Sequence, residues 1–282
     1  MTCAWVFAGG GSLGAIQVGM LKALVRAAPL PDLVLGASVG ALNAAYFAAL
    51  PDVAGVAKLE ALWRRLSRAD IFPQPGLRQG WRVLRGQRHL VESTALRAML
   101  DRELPVRDFT DTRLRLAVVA TDLLSGTEVR LEQGALLTAL LASSAIPGVF
   151  PPVHVADRWL VDGGMAAHSP LAAAASLGAT RIVVLPTGYT CARQTLPDGA
   201  LGVAMLGLNI LTVGKLVSAI ERYGAAIDIV VAPPLCPLDV SPADFTRTTE
   251  LIDRAEASTR AWLARGGDRA PDVPATLPAH AH

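Results

Sequence analysis

Eleven residues, Leu33 to Asn43, reading LVLGASVGALN, constrain the fold of this chain more than any other stretch. An apolar run, Leu33 to Leu35, leads into Gly36-Ala37-Ser38-Val39-Gly40 and then into Ala-rich sequence of helical character. That order places Ser38 at a sharp strand-to-helix turn of the G-x-S-x-G type. Gly36 and Gly40 suit the elbow, because residues without side chains let strand and helix approach closely. Ser38 then stands at a helix N-terminus, where unpaired N–H groups and the helix dipole favour nearby negative charge.

A second unit of the same kind precedes it. Cys3 to Ala8 is a short apolar run that stops at Gly9-Gly10-Gly11-Ser12-Leu13-Gly14, and IQVGMLKALVRAA follows with helical spacing. Gly9, Gly11 and Gly14 satisfy the dinucleotide fingerprint G-x-G-x-x-G, which also wants an acid near the end of the second strand for the ribose hydroxyl. Here that strand ends in Gly36-Ala37-Ser38, and Asp32 lies before it. The competing reading makes the turn an oxyanion hole, with N–H groups of Gly9, Gly10 and Gly11 aimed at one oxygen where charge develops. Strands joined through a helix usually run parallel with their C-terminal ends together, so the glycine turn and Ser38 are expected in one crevice.

The remaining chain has room for a sizeable core in 282 residues, with 52% hydrophobic and 18% charged residues and a net charge of +2 that gives no global field for nucleic acid. The first charge is Lys22, so no signal peptide is read, and a cytoplasmic location, peripheral to membrane at most, is expected. Gly199 to Gly214 is uncharged for sixteen residues, short of the roughly 18 that a spanning helix needs. It reads as a buried or interfacial helix. Cys3, Cys191 and Cys236 are widely spaced and outside any C-x-x-C, which suits a reducing compartment and offers no metal site. From Lys58 to Arg107 the character changes: between Trp63 and Leu90 stand Arg64, Arg65, Arg68, Arg78, Arg82, Arg85 and Arg88 against the single acid Asp70. With Trp63, Phe72 and Trp81 among them, this insertion reads either as a solvated helical face or as a rim docking on anionic lipid.

Strands are expected again at Leu114–Thr121 and Glu128–Leu131, and a helix near Ala135–Ser144 that ends in the rigid apolar loop Ile146 to Pro152. Pro147, Val149 and Phe150 of that loop are candidate walls of an acyl pocket. A hairpin over Val153–Val161, turning at Ala156-Asp157-Arg158, delivers Asp162-Gly163-Gly164. Arg181–Pro186 and Ile227–Ala232 read as strands, Asp244–Ala264 as a closing amphipathic helix, and the tail from Gly266 as disordered.

Four of these segments, in this order, resemble the patatin-like phospholipase family: GGGSLG with the helix IQVGMLKAL, the elbow GASVGALNA, the loop SSAIPGVFPP and the segment LVDGG. The resemblance implies a three-layer α/β/α fold with a mostly parallel central sheet and a helical insertion, spanning residues 1–265 with the insertion at about 58–107 and the tail at 266–282. It implies a lipid acyl hydrolase that uses a serine–aspartate dyad, without cofactor or metal. Carried over, Ser38 is the nucleophile, Asp162 the base, and Gly10 and Gly11, joined by Gly9, the oxyanion hole. Leu13 stands where many members have arginine, and Ala167-His168-Ser169-Pro170 where many have Asn or Asp, a small residue and Pro. Three rivals stay open: a Ser–Asp–His triad using His168, a non-catalytic lipid-binding scaffold on the same fold, and a dinucleotide-binding domain using Gly9, Gly11 and Gly14, which lacks its acidic anchor.

Overall fold

The computed structural model describes residues 2–72, 89–166, 170–188, 191, 195–197 and 199–269. Within them the chain forms a mixed sheet in the order β5-β6-β3-β2-β1-β7-β8, with β4 paired to β3 off that path. The strands are β1 (Cys3–Phe7), β2 (Leu33–Ala37), β3 (Arg115–Asp122), β4 (Glu128–Leu131), β5 (Val153–Val155), β6 (Arg158–Asp162), β7 (Arg181–Leu185) and β8 (Asp228–Val231). β1 is parallel to both β2 and β7, and β2–β3 and β7–β8 are parallel too. β4 and β6 run antiparallel to β3, and β5 to β6.

Helices cover both faces, and the period-2 alternation of the strands shows why. Trp5 and Phe7 of β1 and Val183 and Leu185 of β7 point into one core, while Ala4, Val6, Ile182 and Val184 point into the other. A strand buried on both sides reads as a continuous apolar run, as CAWVF and RIVVL do. The first core is shared with α1 (Gly14–Ala27), α2 (Val39–Ala49), α3 (Val53–Arg65), α5 (Thr94–Glu103), α6 (Leu136–Ser143) and α9 (Thr248–Ala264), and Trp5 stacks on Phe47 of α2 at 5.3 Å. The second is shared with α7 (Pro170–Ser176) and α8 (Gly199–Tyr223). A one-turn helix, α4 (Arg68–Ile71), follows α3. The result is the expected α/β/α layering.

Connections from β1 to β2 and β3 cross the first face, whereas α7 and α8, which flank β7, cover the second. The winding reverses between β1 and β7, and such a switch point opens a crevice at the C-terminal ends of the strands. The glycine turn after β1 lies there.

Two expectations are corrected. Trp63 and Phe72 are buried at 3% and 5% exposure and line an internal cleft, so neither is a membrane-facing anchor. The uncharged run Gly199–Gly214 continues as helix to Tyr223, 25 residues in all. Arg78, Trp81, Arg82, Arg85, Arg88, His168 and the tail from Ala270 lie outside the described residues.

Candidate active site

Ser38 joins β2 to α2 with φ 55° and ψ −132°, a left-handed conformation that costs an L-residue of order 1–3 kcal/mol. The turn is tight enough to exclude side chains on both flanks. A Cβ on Gly36 would sit 2.4 Å from the Gly40 carbonyl, and one on Gly40 would sit 2.3 Å from the Phe7 oxygen. The Ser38 N–H donates to Ser143 Oγ at 2.9 Å, and Ser143 Oγ donates to the Val119 carbonyl at 2.6 Å. The end of α6 thereby ties the elbow to β3.

Asp162 ends β6 and is fully buried. Its backbone is fixed by N–H donation to Ala145 O at 2.9 Å and by Thr121 Oγ1, which donates to its carbonyl at 2.8 Å. Oδ1 accepts from Gly164 N at 2.8 Å, whereas Oδ2 is buried without a hydrogen-bond partner. Burial without a counter-charge pushes the carboxyl up to about 6, against the opposing pull of the Ser38 hydroxyl and the Gly164 N–H. The turn after it is held by Lys215 of α8, whose Nζ donates to the carbonyls of Gly164, Met165 and Ala166 at 3.3, 2.9 and 2.6 Å.

The glycine turn is equally constrained. A Cβ on Gly9 would lie 3.3 Å from Ser38 Cβ, and one on Gly10 would lie 2.3 Å from Thr187 Oγ1, which donates to Gly9 O at 2.7 Å. Gly11 has φ 59°, and a Cβ there would meet Pro242 O at 2.3 Å. Ser12 anchors the turn through N–H donation to Pro242 O at 2.8 Å and hydroxyl donation to Ser241 O at 3.0 Å. Gly9, Gly10, Gly11, Ser38 and Asp162 line one crevice, roofed by Met205, Leu208, Asn209 and Thr212 of α8. The structure therefore brings together residues 9–11, 38 and 162.

A second, narrow apolar cleft opens at the same serine. Its walls include Leu42, Leu62, Trp63, Leu96, Met99 and Phe150. Of the three candidate wall residues, only Phe150 lines it. Pro147 is exposed and Val149 is buried in the core, on either side of a loop turn at Gly148 (φ 77°), and Ile146 takes the wall position instead.

Several supporting residues escape sequence reasoning. Trp63 Nε1 donates to Asn43 Oδ1 at 2.8 Å, and Asn43 Nδ2 donates to Gln17 Oε1 at 2.8 Å. Gln17 Nε2 donates to the carbonyls of Ala8 and Leu185 at 2.8 and 2.9 Å. This buried chain links the cleft wall to the strand ends that carry the glycine turn. Asn43, Gln17 and Ser143 fall inside three of the segments singled out in the sequence, whose spacing does not show these bonds, and Thr187 falls in none. Among the described residues no group of three or more His, Cys, Asp or Glu side chains converges as a metal site requires. Nor does β2 end in a ribose-binding acid: Ser38 stands there, and Asp32 Oδ2 accepts from Cys3 N at 2.8 Å at the other end.

Sheet order, elbow and crevice define an α/β fold with a candidate site at its switch point. The chain belongs to the patatin-like phospholipase family, whose sequence model matches residues 5–175. An uncharacterized NTE family protein of Mycobacterium tuberculosis is 32% identical over 170 residues, covering 58% of this chain and 27% of the relative. Patatin-like phospholipase domain-containing protein 6 of Mus musculus is 26% identical over 189 residues, covering 66% of this chain and 14% of that protein. The chain thus spans less than a third of the length of these two relatives. Among solved structures, VipD of Legionella pneumophila gives a TM-score of 0.44 at 14% identity, covering 94% of this chain and 67% of that one. The type III effector protein ExoU gives 0.43 at 14% identity, with 94% and 53% coverage.

Proposed function

We propose that this chain hydrolyses acyl esters of lipids through a Ser38–Asp162 dyad and an acyl-enzyme intermediate. The observation that carries the reading is the crevice in which Ser38, Asp162 and the glycine turn meet, with an apolar cleft leading away from the same serine.

Asp162 Oδ2 accepts the Ser38 proton as Oγ attacks the ester carbonyl, and the tetrahedral oxyanion forms against the N–H groups of Gly10 and Gly11, with Gly9 beside them. The proton returns to the departing alcohol, leaving the acyl group on Ser38 Oγ and its chain in the apolar cleft. Water then attacks the acyl carbon, gives its proton to Asp162, and releases the fatty acid as Ser38 regains a hydrogen. A carboxylate is a weak base for a hydroxyl, and two features offset this: a pKa lifted to about 6 by burial, and preorganised donors for the developing charge.

Contact with a lipid surface belongs to the same reading. The roof helix α8 turns an apolar side outward, with Val203 and Ile210 each 50% and Leu211 42% exposed. By length and composition it could cross a membrane, at a mean hydropathy of 1.8, and only 28% of its most apolar window is buried, unlike the core helix of a soluble protein. An exposed apolar helix over a lipid site suits an interfacial position. In the arginine-rich insertion, by contrast, Arg64 pairs with Glu60 and Asp253, and Arg65 with Glu103.

The test is turnover of a p-nitrophenyl ester series by the wild type, Ser38→Ala and Asp162→Asn, each checked for folding. The dyad requires both variants to lose at least about a thousandfold in kcat, with His168→Ala retaining most activity. Equal rates in all proteins would leave Ser38 as a turn residue and favour the scaffold; loss with His168→Ala as well as with Ser38→Ala and Asp162→Asn would favour a triad.

A further inference from the structure

Two cysteines far apart in sequence meet beside the roof of the crevice. Cys191 Sγ and Cys236 Sγ lie 3.2 Å apart as two thiols in contact, not as a disulfide. Cys236 is exposed, and Cys191 is partly buried, its Sγ accepting from Leu238 N at 3.4 Å. Cys3 lies on β1, away from this pair.

Each sulfur sits on a segment that the crevice depends on. Cys191 precedes α8, and the start of that helix is packed on the turn before it: a Cβ on Gly202 would lie 2.8 Å from Pro197 Cβ. One turn further along, Met205 lines the crevice. Cys236 precedes Ser241 and Pro242, whose carbonyls accept from Ser12 and fix the glycine turn. A covalent bond between the two sulfurs would therefore join the chain that leads into the roof to the chain that leads into the brace of the turn beneath it.

We propose that Cys191 and Cys236 form a reversible disulfide that holds α8 over the crevice. The oxidant is a low-molecular-weight disulfide such as glutathione disulfide. The exposed Cys236 thiolate attacks one sulfur of the reagent, forming a mixed disulfide and expelling one glutathione thiolate. Cys191, already in contact, attacks the Cys236 sulfur as its own thiolate and expels the second. Two electrons pass from the cysteine pair to the reagent, and the two protons lost by the cysteines go to the released glutathiones. A dithiol reverses both steps. Sulfurs held in contact make the second step intramolecular, which favours it over attack by free thiol.

The bond closes a loop between residues 45 apart and restrains the unfolded chain, so oxidation also raises thermal stability. Its effect on turnover rests on the hydrolase reading; its formation and its effect on α8 do not. The full chain is incubated with glutathione disulfide or with dithiothreitol and digested without reduction for mass spectrometry, and hydrogen exchange of α8 is followed in parallel. The expected result is one linked pair, Cys191 with Cys236, with Cys3 still open to alkylation. Exchange in the first turns of α8 should slow severalfold and Tm should rise by several degrees, with both effects reversed by dithiothreitol and absent in Cys191→Ser. Hydrolysis of long-chain esters should fall severalfold on oxidation and recover on reduction. Accumulation of a Cys236–glutathione mixed disulfide that Cys191 never resolves overturns the proposal, as does a linked pair that leaves exchange in α8 unchanged. Absence of ester hydrolysis in both states, with link and slowed exchange intact, counts against the hydrolase reading instead, whereas hydrolysis that oxidation leaves unchanged overturns the claim that the link restrains turnover.

Discussion

Ser38 holds its oxygen on a backbone at φ 55°, where a side chain is strained and glycine is not. Ser38→Gly should therefore unfold at or above the Tm of Ser38→Ala, although glycine usually costs stability in the unfolded-chain balance; a Tm several degrees lower would show that the elbow is relaxed. Asp162 makes a second demand. Its folded pKa of about 6 exceeds its ordinary 3.8, so between those values the folded state binds the extra proton and stability falls as pH rises. Above about pH 6 the loss is complete. Asp162→Asn removes the buried charge and keeps an oxygen for Gly164 N–H, so it should be more stable than the wild type at pH 8 by about 1–3 kcal/mol. That advantage should vanish near pH 4. Urea melts at both pH values would check it, and an equal or less stable variant at pH 8 would contradict it.

At the scale of elements, the two strand–glycine–helix units were legible because each is local: an apolar run, a glycine turn and a 3.6-residue pattern lie within a few dozen residues. The hairpin that delivers Asp162 was legible for the same reason, and its turn residues Ala156 and Asp157 both adopt positive φ, at 45° and 62°. What ties these units together was not. Ser143 braces an elbow 105 residues away, and Thr187 reaches Gly9 across 178. Neither distance leaves a periodic trace. The length of α8 was hidden by Lys215, which ends the uncharged run but sends its ammonium inward to three carbonyls of the turn after Asp162. Lys215→Met should loosen that turn and lower kcat about tenfold while KM changes little; an unchanged kcat would remove Lys215 from the support of the dyad.

For the whole molecule, the sheet sets the chemistry at its switch point and the insertion sets what reaches it. Trp63 and Phe72 stand in a stretch that reads as a solvated face or a lipid rim, yet the cleft draws both inward: Phe72 stacks on Phe150 and Trp63 on Phe245, which removes large apolar surface from water. Filling that cleft should change selectivity before chemistry. Leu96→Trp should cut kcat/KM for long-chain esters about tenfold or more and leave acetyl esters within about twofold; a uniform loss across the series would place the acyl chain elsewhere.

The most direct test of the account is the site and pH dependence of covalent capture by a long-chain alkyl fluorophosphonate, located by peptide mass spectrometry. The account predicts a single adduct on Ser38, formed at a rate that rises through a pKa near 6 and collapses in Asp162→Asn. Capture at another residue, or at Ser38 with a rate indifferent to Asp162, would contradict it.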